Sequence, residues 1–261
     1  MPNDNHFISG FSLVNGLNMY YEIHGQGKPF VLLHGGGSTI QTSFSNIIPL
    51  LAKNRQIIAV ELQAHGHTID RGTELTFEQD ADDVAALMNN LNISKADFLG
   101  FSNGGHTAIE IFLRHPQLVN KIILASSFVN RAAVAQEFWD SFEGATLDMM
   151  PILLQQGYLK ANNSDAGLLT MFNRDVERMK KFKGWTNDQI KSISSPVLVI
   201  NGNEDVASLE HAVEMFRLIP NAELAIFPGG HGTYLGAVES LPDGKWPAFN
   251  AVPLIGEFLD K

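Results

Sequence analysis

The sequence predicts an α/β fold: a mostly parallel, doubly wound sheet of about eight strands, covered on both faces and carrying a helical insertion. Three observations point to it. Short apolar runs suited to buried strands alternate with longer amphipathic stretches. A serine between two glycines, Gly100-Phe101-Ser102-Asn103-Gly104, sits where one such run hands over to a helix. The stretch 130–192 holds no strand-like run and is rich in large apolar residues.

The elements follow in chain order. Asn18 to His24 reads as an early strand, closed by Gly25-Gln26-Gly27. Pro29 to Leu33 is continuously apolar, as a strand buried on both faces must be, and it ends in His34-Gly35-Gly36-Gly37. A helix is expected over Ile40 to Lys53 and a strand over Gln56 to Val60. Thr76 opens the next helix, with Gln79 three residues on as in a capping box and Val84, Leu87, Met88 and Leu91 on one apolar face. Ala96 to Leu99 is the strand before the serine, and Ile109, Phe112 and Leu113 fall at helical spacing after it, with Pro116 as a stop. Further strands are expected at Lys121 to Ala125, Pro196 to Ile200 and Ala222 to Ile226, with helices across Leu209 to Leu218 and running to Leu259. The chain thus divides into a core, 1–129 and 193–261, and a helical cap insertion, 130–192, lying over the carboxyl ends of the strands.

The chemistry starts at Ser102. A serine between glycines on a sharp strand-to-helix turn is a nucleophile elbow: the turn is strained, the residues two before and two after must be small, and the hydroxyl is raised above the sheet. The backbone N–H of Asn103 then points at the place where an oxyanion develops. A neutral hydroxyl needs a base within hydrogen-bond reach, and the base needs a carboxylate to hold its tautomer. In this topology the order along the chain is serine, acid, histidine, each on a loop after a strand. The chain supplies Asp205 in Asn201-Gly202-Asn203-Glu204-Asp205 and His231 in Pro228-Gly229-Gly230-His231-Gly232. Glu204 is the competing acid; the loop after the preceding strand, Ser126 to Asn130, offers no carboxylate. His65, His67 and His106 are expected to be polar loop or helix residues outside the chemistry.

Composition narrows the partners. The net charge of −10 disfavours nucleic acid and anionic membrane, both of which call for basic patches. The absence of cysteine removes disulfide and thiol chemistry. The first residues lack the basic and apolar regions of a leader, and no run approaches the ~18 apolar residues of a membrane span, so a cytoplasmic protein is expected. No metal-ligand cluster, P-loop or dinucleotide fingerprint occurs, so no cofactor is implied. The expected partner is a small-molecule ester; monomer and homodimer fit the sequence equally.

The His34-Gly35-Gly36-Gly37 loop, the elbow at Ser102, the Asn201 to Asp205 segment and Gly230-His231-Gly232, each after a successive strand, resemble the α/β-hydrolase fold family of the esterase and lipase type, over essentially the whole chain. The resemblance implies an oxyanion hole of the Asn103 N–H and a second N–H from the glycine loop, Gly36 first and Gly37 second. His34 would hold that loop, and Gly37 and Phe101 would border the substrate. Glu61 to His67 departs from the Asp-x-Arg-Gly-x-Gly turn that family members often carry there, and it is assigned no catalytic role. The activity implied is a serine hydrolase cleaving a carboxylic ester of a small or medium, partly apolar substrate through an acyl-enzyme. A lactonase, a carbon–carbon bond hydrolase or a cofactor-free perhydrolase would use the same triad, and a slow-turnover receptor could keep it. A cation among Arg131, Arg174 and Arg178 facing the pocket would favour a carboxylated substrate.

Overall fold

The computed structural model describes residues 7–241 and 244–261. Its centre is one eight-stranded sheet, as the sequence predicts: β1 (Ile8–Val14), β2 (Leu17–His24), β3 (Lys28–Leu33), β4 (Arg55–Val60), β5 (Ala96–Phe101), β6 (Val119–Ala125), β7 (Val197–Gly202) and β8 (Ala222–Phe227). The spatial order is β1-β2-β4-β3-β5-β6-β7-β8. β1 and β2 join antiparallel; from β4 to β8 every pair is parallel. All parallel strands therefore end at one edge, and the loops that carry chemistry leave from it.

Alternation along the strands sorts the side chains into two cores. Val31, Leu33, Ile58, Val60, Phe98 and Ile122 face one way, against α3 (Phe77–Asn90) and α4 (Asn103–Arg114). Phe30, Leu32, Ile57, Ala59, Leu99 and Ile123 face the other, against α1 (Ile40–Phe44), α2 (Ile48–Leu51) and α10 (Val252–Asp260). These strands are covered on both faces, so continuous apolar runs are what they need.

The expected single helix over Ile40 to Lys53 is two short ones, because Pro49 starts a new first turn at α2. β1 is not anticipated by the apolar pattern: Ile8, Phe11 and Leu13 face solvent on an edge strand. The capping box at Thr76 is half formed. Thr76 accepts the Gln79 N–H, but the Gln79 side chain donates to Asp83 instead of reaching back.

Between β6 and β7 the chain is helical: α5 (Gln136–Asp140), α6 (Ile152–Asn162), α7 (Asp165–Lys181) and α8 (Asn187–Lys191), with short 3₁₀ turns between; α9 (Leu209–Leu218) follows β7. Phe128, Trp139, Met179 and Phe182 from this region form their own apolar cluster with Phe77 of α3. His106 of α4 is enclosed there, its ring 4.8 Å from Phe77, 4.7 Å from both Phe128 and Phe182, and 5.6 Å from Trp185 between centroids. Its nitrogens close no hydrogen bond; one only approaches the Phe128 backbone.

Burial, with the nearby Arg178 charge second, holds the His106 pKa down to about 3 from 6.5. Between those values the unfolded chain binds more protons than the folded one, so this group lowers stability as pH falls from about 6.5 toward 3. His106→Phe should remove that penalty and the unpaired nitrogens. It is expected to raise stability by about 1 kcal/mol near neutrality and to shrink the loss between neutral and acidic buffer, as read by urea unfolding.

Candidate active site

Ser102 sits between β5 and α4 with φ +53° and ψ −121°, a conformation that a residue with a side chain rarely adopts. The reason lies in its neighbours. A Cβ on Gly100 would lie 2.2 Å from the Gly104 carbonyl oxygen, and one on Gly104 would lie 2.0 Å from the Leu33 carbonyl oxygen. Two glycines let the turn close so tightly that Ser102 takes up the strain. The Ser102 N–H donates to the Ala125 carbonyl at 2.9 Å, which ties the turn to β6. Asn103 is the first residue of α4, so its N–H has no intrahelical acceptor and lies at the positive end of the helix.

Asp205 and His231 leave the same sheet edge, after β7 and β8. His231 Nδ1–H donates to Asp205 Oδ1 at 2.7 Å, which leaves Nε2 as the basic nitrogen. The imidazole packs on Phe101, ring centroids 4.9 Å apart, beside the serine. Ser102 Oγ and His231 Nε2 form no mutual hydrogen bond here; such contacts often close only around substrate. Asp205 Oδ1 also accepts the Val206 N–H at 2.8 Å; Oδ2 accepts the Ser126 hydroxyl at 2.5 Å and the Gly202 N–H at 3.0 Å. Burial pushes the Asp205 carboxyl up, but His231, Ser126 and Gly202 together outweigh it and hold the group below the usual carboxylate range. Glu204 is exposed and has no part in this arrangement.

Ser126 supports this acid without any sequence signal of its own, since its loop offers no carboxylate. Its backbone is left-handed, φ +50°, and its Oγ stands 2.8 Å from the Tyr234 hydroxyl, which in turn donates to the Ile200 carbonyl at 3.2 Å. A hydroxyl in place of the missing acid thus holds the acid supplied by the next strand.

The glycine loop is held by His34. Its Nδ1–H donates to the Gly35 carbonyl at 2.8 Å and its Nε2 accepts the Leu62 N–H at 3.1 Å. Those partners require the neutral ring, and burial keeps the pKa down to about 3. The Gly37 N–H, the second candidate for the hole, is already taken: it donates to Asp175 Oδ2 at 2.6 Å. Gly36 keeps its N–H free and borders the same cavity as Ser102 and Asn103. A Cβ on Gly36 would meet the Asn103 side-chain nitrogen at 2.5 Å, so the two residues are close neighbours.

Above Ser102 lies a cavity of about 470 Å³. Its floor is Gly36, Gly37, Ser102 and Asn103; its walls are mostly cap side chains, with Phe138, Phe142, Met150, Leu154 and Met179 among them. Phe101, expected at the substrate, is not there: it is buried under His231 and Gly232, because the residue before the serine still belongs to β5 and points into the sheet-side core. None of the three cap arginines lines this cavity. Arg131 stacks on Trp139, and Arg174 and Arg178 of α7 pair with Asp70 and Asp80 of the core.

Among the described residues, the one charged side chain lining the cavity is Asp175, to which no sequence motif points. Besides Gly37, Asp175 Oδ2 accepts His65 Nε2–H at 2.9 Å, and Oδ1 accepts Arg178 at 2.5 Å. His65 Nδ1–H donates to the Gln63 carbonyl at 2.8 Å, so both ring nitrogens face acceptors, an arrangement that favours the imidazolium. Burial lowers the His65 pKa, but the Asp175 carboxylate beside it wins and raises it. Burial likewise opposes the charge on Asp175, yet His65 and Arg178 hold its pKa well below the usual range. The Glu61 to His67 loop, assigned no role, therefore reaches the glycine loop through one carboxylate. Among the described residues no group of three or more His, Cys, Asp or Glu is placed to hold a metal ion, and no helix is long and apolar enough to cross a membrane.

Covalent labelling of Ser102 by a fluorophosphonate reads this machinery without presupposing a substrate. Asp205→Asn is expected to slow labelling on the order of 1,000- to 10,000-fold, because the wrong histidine tautomer is favoured. Ser126→Ala removes one hydrogen bond to a charge, worth about 1.5–3 kcal/mol, and should cost at least roughly 10-fold. Glu204→Gln should label like the parent.

A family model described as alpha/beta hydrolase fold matches residues 28–169. Among curated proteins, the chain is 28% identical over 237 residues to the 2-hydroxymuconate semialdehyde hydrolase of Pseudomonas sp. (strain CF600), covering 81% of this chain and 83% of that protein. Among solved structures, it superposes on a meta-cleavage product hydrolase from Pseudomonas fluorescens IP01 with a TM-score of 0.77 at 23% identity, covering 97% of each chain. The enol-lactonase from Burkholderia xenovorans LB400 gives a TM-score of 0.72 at 19% identity over 96% of this chain and all of that one (100%).

Proposed function

The chain belongs to the alpha/beta hydrolase fold family, and from that premise we propose that it cleaves a carboxylic ester of a small or medium, partly apolar, uncharged substrate. Ser102 Oγ attacks the carbonyl carbon while His231 Nε2 takes its proton. The oxyanion is received by the N–H groups of Gly36 and Asn103. The alcohol leaves with the proton from His231, and water, activated the same way, releases the acid and frees Ser102. Asp205 keeps Nδ1 protonated and stabilises the imidazolium throughout.

One observation carries the choice of substrate. Among the described residues the cavity is walled mostly by apolar cap side chains and offers no cation, and its one carboxylate is already balanced by Arg178 and His65. A substrate carboxylate entering it would lose its water with no positive group to receive it. An uncharged acyl group gains from the same walls, at roughly 25 cal/mol per Å² of apolar surface removed from water. A second reading, hydrolysis of a carbon–carbon bond, draws on the likeness to the 2-hydroxymuconate semialdehyde hydrolase.

Initial rates on p-nitrophenyl esters of graded acyl length, with Ser102→Ala beside the parent, test the reading. Turnover that disappears in the variant, with short to medium uncharged chains preferred over an ester bearing a terminal carboxylate, supports it. A folded parent that is inert on every ester but cleaves a vinylogous 1,5-diketone at its carbon–carbon bond would replace it with the second reading.

A further inference from the structure

The ester-hydrolase reading uses Gly36 and leaves Asp175 unexplained. A buried carboxylate beside an apolar cavity is costly unless it is fully partnered. Asp175 is fully partnered, and one partner is the glycine loop itself. The chain reaches it from far away in sequence: Asp175 rides on α7 of the cap, whereas Gly37 follows β3 of the core. At 2.6 Å this charge-assisted hydrogen bond is short and directional. Gly37 itself has φ +65°, so the loop turns sharply just where the bond is made. Its consequence is geometric. With the Gly37 N–H turned to the cap, the preceding Gly36 N–H is the loop donor left to face the cavity above Ser102, and a Cβ on Gly36 would stand 3.3 Å from Asp175 Oδ2.

We propose that Asp175 is a positioning residue for the oxyanion hole: its carboxylate anchors Gly37 to the cap and so sets Gly36 in the orientation that receives the oxyanion. His65 and Arg178 hold the carboxylate from either side. Arg178 continues to Asp80 of α3 at 2.8 Å, so the anchor is fixed to the core as well as to the cap. Seating of α7 and assembly of the hole are then one event. The proposal rests on the serine-hydrolase machinery read above, but not on the ester being the substrate.

Asp175→Asn tests it. The amide cannot accept from Gly37, His65 and Arg178 at once, because one of its heads is a donor. The expected result is a fall of roughly 10- to 100-fold in kcat on a p-nitrophenyl ester with KM within about twofold, since an oxyanion donor acts in the transition state. A trifluoromethyl ketone supplies the second readout. Ser102 Oγ adds to the ketone carbon, the Ser102 proton passes to His231, and the ketone oxygen becomes the oxyanion with nothing leaving. Its affinity should weaken by the same factor as kcat, while the matching methyl ketone binds as in the parent. Should Asp175→Asn not fold, Asp175→Glu keeps the charge balance but displaces the acceptor from Gly37, and it is read the same way. Unchanged kcat and trifluoromethyl ketone affinity in a folded variant, or equal weakening of both ketones, overturns the proposal. A parent that binds the trifluoromethyl ketone but turns over no ester removes the ester reading alone.

Discussion

The first turn of α4 lies against the end of β3 with no room for a single extra carbon, and the site is built on that contact. The Gly104 backbone approaches the Leu33 carbonyl so closely that a side chain at position 104 is excluded. The same tight turn holds Ser102 at φ +53° and brings the Asn103 side chain against Gly36, which follows β3. Ser102 and the two N–H groups proposed to receive the oxyanion thus come from two adjacent parallel strands meeting one helix. The strain is supported by the sheet around it: β5 lies between β3 and β6, buried along its whole length. An elbow at a sheet edge would have one such neighbour fewer to hold it.

The cap is joined to this core by charge as well as by apolar packing. Arg174, Arg178 and Lys181 fall on one face of α7 and meet Asp70, Asp80 and Glu74. The outer pairs are exposed enough for water to screen them, and each adds little. The inner group is different. Asp80, Arg178 and His65 are buried and Asp175 nearly so, two acids and two bases together, so desolvation is repaid only while all four remain in place. Burial pushes the Asp80 carboxyl up to about 7 even with Arg178 beside it. Such a cluster adds little net stability but tolerates few alternative seatings of the helix.

What could be read from the sequence divides along physical lines. Strands buried on both faces advertise themselves as apolar runs, so β3 to β7 are legible to within two or three residues. β1 is not, because its large apolar residues face out; its real signal is Asn15-Gly16, a hairpin turn with φ +47° and +80°. Ser102, Asp205 and His231 are legible because the fold imposes their order. Ser126 and Asp175 are not. A hydroxyl that supports an acid has no spacing of its own, and Asp175 meets Gly37 across 138 positions of chain. Phe101 adjoins Ser102 in sequence but not at the cavity: it is the last residue of β5, and its side chain points into the sheet-side core.

The charge state of His65 decides how the cavity behaves. A neutral ring would have to present a lone pair either to the Gln63 carbonyl or to the Asp175 carboxylate, and both are acceptors. The imidazolium avoids that repulsion and leaves Asp175 with a positive partner on each side, so the carboxylate projects little net field into the apolar space beside it. That leaves the N–H groups of Gly36 and Asn103, both residues that line the cavity with Ser102, as its proposed electropositive feature. In a low-dielectric cavity that asymmetry favours a reaction in which negative charge appears on one oxygen above the serine and nowhere else. It equally disfavours a substrate that brings a negative charge of its own. The selectivity proposed for the pocket and the proposed oxyanion hole therefore draw on the same buried pairing.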